Sequence, residues 1–132
     1  RPGDQHIVAG SGRTKDRHVF YGGAGNDVLI GFAGFDTLVG GAGDDILEGR
    51  FNADRFVFAD GFGNDEIRDF DALNGLEKID LTDVTGITDF ADLMTNHLEV
   101  GTDGVVRIVV DGNSITLTGV IASDLDASDF IF

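Results

Sequence analysis

The chain has no cysteine and no tryptophan, and it sets only nine basic residues against twenty-four acidic ones in 132 positions. Without cysteine, neither a disulfide framework nor a thiolate metal site can form. That leaves the redox compartment undecided, because a bound metal can replace disulfides as the staple of a small domain. No apolar run approaches the roughly eighteen residues a membrane helix needs, and no charged-then-apolar leader opens the chain. A formal charge of −15 disfavours nucleic acid and anionic membranes as partners. The acidity is uneven: residues 1–59 hold eight acids and six bases, whereas residues 60–132 hold sixteen acids and three bases. Catalytic signatures are also missing, with no G-x-S-x-G, no H-E-x-x-H and no G-x-x-x-x-G-K loop. A hydrolase working with two unassigned carboxylates is the one enzymatic reading left open. At this length a single domain is expected. The first residue, Arg1, is not methionine, which predicts a piece of a longer protein with any enzyme lying upstream.

What the chain does have is a period. Phe20, Leu29, Leu38, Leu47 and Phe56 stand nine apart, beside aspartates at Asp27, Asp36, Asp45 and Asp54 and glycines at Gly22, Gly31, Gly40 and Gly49. The turns read GGAGNDVLI, GFAGFDTLV, GGAGDDILE and GRFNADRFV. A short fixed period with one apolar residue per turn marks a solenoid. Six residues of each turn make a glycine-rich loop ending in aspartate, and the last three make a short strand. Strand neighbours point to opposite faces, so the middle apolar residue of each strand faces a thin core.

The loops have the composition of a hard-cation site. Turning carbonyls toward one point takes positive φ, which glycine adopts without steric penalty. Calcium takes six to eight oxygens from carboxylates and carbonyls, whereas magnesium demands a strict octahedron and keeps its waters. One loop closed by aspartate supplies half of a calcium shell, and a second loop stacked beside it supplies the rest.

With these residues in place, the segment from about Gly22 to Val57 resembles the calcium-binding nonapeptide G-G-x-G-x-D-x-U-x of the RTX (repeats-in-toxin, hemolysin-type) family. The resemblance implies an all-β fold, a right-handed parallel β-roll whose alternate loops face each other across rows of calcium. Loop Gly22–Asp27 then faces Gly40–Asp45, and Gly31–Asp36 faces Gly49–Asp54. The implied ligands are the carboxylates of Asp27, Asp36, Asp45 and Asp54. Carbonyls of Gly22, Ala24, Gly40, Gly41, Ala42 and Gly43 join them in one row, and those of Gly31, Ala33, Arg50 and Asn52 in the other. At least two ions are expected. Phe32, Arg50 and Asn52 depart from the glycine pattern, so the second row is expected to bind more weakly. Asp44 is expected to point to solvent.

Outside the repeat the pattern decays. Asp4-Gln5-His6-Ile7-Val8 and Asp16-Arg17-His18-Val19-Phe20 share a phrase twelve residues apart, which predicts three extra residues in the loop between them. His6 and His18 stand where the repeat has aspartate. Two readings stay open, a transition-metal site or degenerate turns capping the coil. Downstream, Gly61–Ile67 reads as one more altered loop, with Asp65, and Asp69 beyond it, capping the row opposite Gly40–Asp45 or merely forming a solvated turn. Glu77–Leu81 alternates as a strand. Thr88 is the expected N-cap of a helix burying Phe90, Leu93, Met94 and Leu98, with His97 on its surface. Val105–Val110 and Asn113–Thr118 form a hairpin about Asp111-Gly112, with Ile115 and Leu117 inward. The expected layout is one module: degenerate turns 1–21, the roll 22–57, and a C-terminal antiparallel β cap with one short helix at 58–132.

The segments Ile67–Phe70 and Lys78–Leu81 resemble those that follow the rolls of serralysin-type proteases, and the layout is similar to the R modules of mannuronan (alginate) epimerases. The ending Ser128-Asp129-Phe130-Ile131-Phe132 resembles the uncleaved signal of type I secretion substrates. It also reads as a last edge strand, and both can hold. Together these imply a non-catalytic, monomeric, calcium-folded module of a bacterial secreted protein, handled by type I secretion machinery. The alternative is a calcium-dependent carbohydrate-binding module for an acidic polysaccharide. Two bound calcium ions would make residues 1–59 net positive, with Arg13, Lys15, Arg17, Arg50 and Arg55 as a basic strip. Stacking aromatics are few: Tyr21, Phe32, Phe35 and Phe51. An ice-binding face ranks last, because only Thr37 sits where a flat threonine ladder would need it.

Overall fold

The computed structural model describes residues 7–9, 17–50, 53–72 and 76–132. Its first eight strands alternate between two sheets. Strands β1 (Ile7–Ala9), β3 (Val28–Ile30), β5 (Ile46–Glu48) and β7 (Asn64–Ile67) pair in parallel in one sheet. Strands β2 (Val19–Tyr21), β4 (Thr37–Val39), β6 (Arg55–Ala59) and β8 (Lys78–Asp83) pair in parallel in the other. Each loop therefore crosses from one sheet to its opposite, as a nine-residue half-turn requires. The register Ile7↔Val28, against Val28↔Ile46 one turn later, accommodates the three extra residues expected between the two degenerate turns.

Within the roll each three-residue strand buries only its central side chain. Leu29, Leu38, Leu47 and Phe56 are fully enclosed, and Phe20 packs against them half-buried. One leucine per turn contributes about 1.5–3 kcal/mol by burial. Ordering nine residues of backbone opposes this by roughly 1–2 kcal/mol per residue. Inter-turn hydrogen bonds and the groups in the loops must supply the difference.

The C-terminal region widens this core. After β8 the chain forms a short helix α1 (Phe90–Asp92), a π-turn Leu93–His97, and strands β9 (Leu98–Val100), β10 (Val106–Val110) and β11 (Asn113–Leu117). The β10–β11 hairpin turns on Asp111 and Gly112, with φ of 51° and 81°, as a tight two-residue connection requires. Ile115 and Leu117 are buried as expected. Beyond expectation, β11 also pairs in parallel with β7, so the hairpin continues one sheet of the roll. The final strand β12 (Phe130–Ile131) pairs in parallel with β8 and edges the other sheet.

The helix differs from its sequence reading. Its N-cap is Asp89, whose carboxylate accepts the Asp92 N–H at 2.7 Å, rather than Thr88. Asp92 in turn accepts the N–H of Thr88, the residue before the N-cap. Leu98 belongs to β9, and His97 is held rather than free on the surface: its Nδ1 lies 2.9 Å from the Val109 carbonyl.

Candidate cation-binding loops

The loops form two rows along the edges of the roll. Among the described residues, 22–27, 40–45 and 60–63 stack in the first row, and 31–36 with Gly49, Arg50, Ala53 and Asp54 in the second. Stacking is built on one repeated bond. The Asp27 N–H donates to Asp45 Oδ1 and the Asp36 N–H to Asp54 Oδ1, both at 2.9 Å, each across 18 residues. The Asp45 N–H donates to Asp65 Oδ1 at 2.8 Å, which places Asp65 over the Gly40–Asp45 loop. Asp45 and Asp54 thus each clamp the loop before them through one oxygen and keep the other enclosed.

Those enclosed oxygens are the chemical signal. Asp27, Asp36, Asp45, Asp54 and Asp65 are all buried. Oδ2 of Asp45 and Oδ2 of Asp54 accept no hydrogen bond among the described residues. A buried ionised oxygen with no partner is strongly disfavoured. Burial accordingly pushes the Asp45 and Asp54 carboxyls up to about 7 and Asp65 up to about 8. The neighbouring backbone N–H partly offsets each rise, and the next aspartate's charge, Asp27, Asp36 or Asp45, adds to it.

Two separate constraints explain the glycines. At the first loop position the demand is space: a Cβ on Gly22 would stand 2.5 Å from Asp27 Oδ2 and 2.8 Å from the Gly40 carbonyl oxygen. At the second position the demand is backbone angle, since Gly23 and Gly41 have φ of 85° and 83°. Phe32 and Arg50 occupy that same position in the second row and take it regardless, at 61° and 66°.

Carbonyls project between stacked loops. Those of Gly23 and Gly25 lie against Gly41 and Gly43, and that of Gly43 against Gly63. The carbonyls of Gly23, Gly25 and Gly49, outside the predicted set, also lie against the neighbouring loop; the glycine spacing alone does not tell which carbonyl turns that way. Among the described residues no three His, Cys, Asp or Glu side chains converge on a point. A cation held here must therefore take much of its shell from backbone oxygen. Calcium does so readily, and the paired carboxylates and inter-loop carbonyls fit it.

Other expectations fall differently. Asp44 is exposed but not idle: its N–H donates to Asn26 Oδ1 and its own Oδ1 accepts the Asn64 N–H, both at 2.9 Å, in an outer ladder along the first row. Asp69 caps the second row instead of the first, accepting the N–H groups of Gly49 at 3.1 Å and Arg50 at 2.7 Å. His18 meets Asp36, with Nδ1 3.4 Å from Oδ1. His6, Arg13, Lys15, Phe51 and Asn52 lie outside the described residues. Of the basic strip, Arg50 pairs with Glu48 at 3.0 Å and Arg55 with Asp80 at 3.2 Å, while Arg17 lies over the Phe35 ring. Glu77, buried beside β8, was not singled out by the sequence, because no nonapeptide precedes it.

Comparison with known proteins agrees with this geometry. A family model described as the RTX calcium-binding nonapeptide repeat, in four copies, matches residues 21–56. No curated protein sequence matches the chain. Among solved structures, the extracellular lipase LipA from Serratia marcescens is similar at 27% identity and TM-score 0.72. That match covers 94% of this chain, which spans only 20% of the lipase. The AlgE6R3 subunit of the Azotobacter vinelandii mannuronan C5-epimerase is 28% identical with TM-score 0.70, over 100% of this chain and 81% of the subunit. The AlgE6R2 subunit of the same epimerase is 25% identical with TM-score 0.64, over 100% and 94%. Residues 21–56 are thus an array of RTX calcium-binding repeats, and the chain is a parallel β-roll module that resembles the epimerase R modules.

Proposed function

We propose that the chain is a non-catalytic, monomeric module of a larger secreted bacterial protein, and that it folds on calcium outside the cell after type I export. The observation that carries this reading is the pair of buried, unpartnered oxygens, Oδ2 of Asp45 and Oδ2 of Asp54. In the proposed sites Asp27, Asp45 and Asp65 serve the first row and Asp36 and Asp54 the second, with loop carbonyls completing each shell. Bound calcium supplies the positive charge that lets these carboxylates stay ionised while buried. Without it their mutual repulsion adds to the ordering entropy of a thin glycine-rich coil, and the chain stays extended enough to export. The test is far-UV circular dichroism of the whole chain with calcium and with EGTA. A large loss of β signal in EGTA is expected; an unchanged spectrum would contradict the proposal.

The second reading is a carbohydrate-binding module, favoured by full-length similarity to two epimerase subunits. Two Arg–Phe pairs, Arg17 over Phe35 and Arg50 over Phe32, present guanidinium and ring together on the second row. Retention on an acidic polysaccharide in calcium, lost in EGTA, would support it; no retention on any polysaccharide would leave the folding role alone.

A further inference from the structure

Away from the loop rows, the sheet that joins the roll to the hairpin carries a groove of its own. By register, Ile46 stands beside Glu66, Glu66 beside Thr116 and Thr116 beside Arg107, one residue from each of β5, β7, β11 and β10. Their strand neighbours Leu47, Ile67, Leu117 and Ile108 are fully enclosed, so this row faces outward. It floors a groove of about 440 Å³, with Asp44 and Asn64 on one side and Val105 and Thr118 on the other. Four strands at a spacing of ~4.8 Å make it roughly 14 Å across, the reach of a short extended chain.

The walls are ordered in advance. Ser114 Oγ donates to Asn64 Oδ1 at 3.0 Å, and Thr118 Oγ1 donates to Glu66 Oε2 at 2.6 Å. Arg68 lies 3.6 Å from the other Glu66 oxygen. Hydrogen-bonding capacity remains at the Asn64 amide nitrogen, the Thr116 hydroxyl and the Arg107 guanidinium, which have no partner among the described residues. Arg107 is the exception among the three bases of residues 60–132. Arg68 pairs with Glu48 and Glu66, and Lys78 Nζ donates to the Ser128 carbonyl. Arg107 is half-buried and makes no ion pair, although Glu99 stands opposite it in β9. A fixed fork of donors left unmatched in a groove is a place for ligand oxygen.

Charge narrows the ligand. The unpaired guanidinium opposes a cation. Asp44 and Glu66 in the same groove oppose an anion, as do the sixteen acids that residues 60–132 set against three bases. An uncharged group that both donates and accepts, a hydroxyl, satisfies Arg107 and Asn64 on one hand and Asp44 on the other. Ile46 and Val105 offer apolar surface to the carbon-bound hydrogens between such hydroxyls.

We propose that this groove binds a neutral, hydroxyl-rich glycan laid across β5, β7, β11 and β10, with Arg107, Thr116 and Asn64 as its donors. The proposal rests on the carbohydrate-binding reading and gives it a second place and a different ligand class, apart from the arginines of the second row.

The test is affinity electrophoresis of the whole chain in calcium, through gels holding dextran, laminarin, a mannan or a galactan, with hyaluronan as the acidic counterpart. Wild type is compared with Arg107→Gln, Thr116→Val and Thr37→Val. Valine keeps the branching and strand preference of threonine while removing the hydroxyl, and Thr37, in β4 of the other sheet, is the matched control. The expected result is retardation by at least one neutral polysaccharide, weakened about tenfold or more by Arg107→Gln and by Thr116→Val and unchanged by Thr37→Val. No retardation by any of the four, or retardation that neither groove variant weakens, would overturn the proposal. Should Arg107→Gln fail to fold in calcium by circular dichroism, Thr116→Val decides alone. Retardation by hyaluronan only would sink this groove and spare the carbohydrate reading; retardation by none of the five would sink both.

Discussion

The guanidinium of Arg50 lies 5.1 Å from the centroid of the Phe32 ring. These are the two residues that replace glycine at the second loop position, and both hold φ above 60°. Left-handed backbone opposes each by about 1–2 kcal/mol, and a cation over a ring returns about 0.5–1 kcal/mol at an exposed site. The two departures in the second row therefore support each other across the stacked loops. A double-mutant cycle with Phe32→Gly and Arg50→Gly should give a coupling of roughly 0.5–1 kcal/mol in calcium. The double variant should fill its second row at lower calcium than either single variant. Additivity within about 0.3 kcal/mol would show that the ring and the guanidinium act independently.

Asp45→Asn separates clamp from ligand. The amide keeps an oxygen that can accept the Asp27 N–H, so stacking geometry survives. It removes the charge that a cation would neutralise. Denaturant unfolding in EGTA should show the variant as stable as wild type or more so, since a buried charge is gone. In calcium it should lose about 2.7 kcal/mol, the gain from one site at a hundredfold excess over Kd. The same deficit with and without calcium would mean that Asp45 serves only as a clamp.

Acid should do part of the work of metal. In the fold Asp45 and Asp54 titrate near 7 and Asp65 near 8, all raised by burial from 3.8. Between about 4 and about 7 the folded state therefore binds more protons than the unfolded one, and unfolding free energy falls as pH rises. That stabilisation is complete below about 4 and is lost as pH passes through about 7 to 8. In EGTA the module should be better ordered near pH 5 than near pH 8 by circular dichroism. In saturating calcium this contribution should disappear, and calcium binding near neutral pH should release protons. Greater order near pH 8 than near pH 5 in EGTA would contradict the burial of these groups as acids.

The repeat was legible because its chemistry recurs at a fixed spacing. Leu29, Leu38 and Leu47 had to face one way, and Asp27, Asp36 and Asp45 had to share a loop position. The downstream half resisted for a physical reason: strands that pair in parallel carry no local sign of their partner. Nothing near Asn113–Leu117 announces that it will stack on Asn64–Ile67, fifty residues earlier. Glu77 escaped notice in the same way, since only the parallel register Arg55↔Lys78 shows which loop it adjoins. Asp69 was grouped with Asp65 in the wrong row, although it follows Asp65 by four residues as Gly49 follows Asp45, so the strand between them carries it to the opposite edge. The histidine at position 18 was ambiguous until its ring was found beside Asp36.

Gly23 and Gly43 provide the sharpest test of why the loops need glycine. Both have positive φ, 85° and 101°, so alanine at either site meets left-handed strain of about 1–2 kcal/mol. They differ in space. Around a Cβ on Gly23 nothing lies within 4 Å, whereas a Cβ on Gly43 would drive into the Gly25 carbonyl, 2.6 Å from its carbon. That contact is backbone against backbone and cannot relax by rotating a side chain. Gly23→Ala should therefore cost only the backbone strain and leave calcium binding intact. Gly43→Ala should cost an additional ~1–3 kcal/mol from overpacking and should part the 22–27 and 40–45 loops. The first row should then need more calcium to fold, as read by calcium titrations of the circular dichroism signal. Equal midpoints for the two variants would mean that the loops do not approach as closely as their carbonyls indicate.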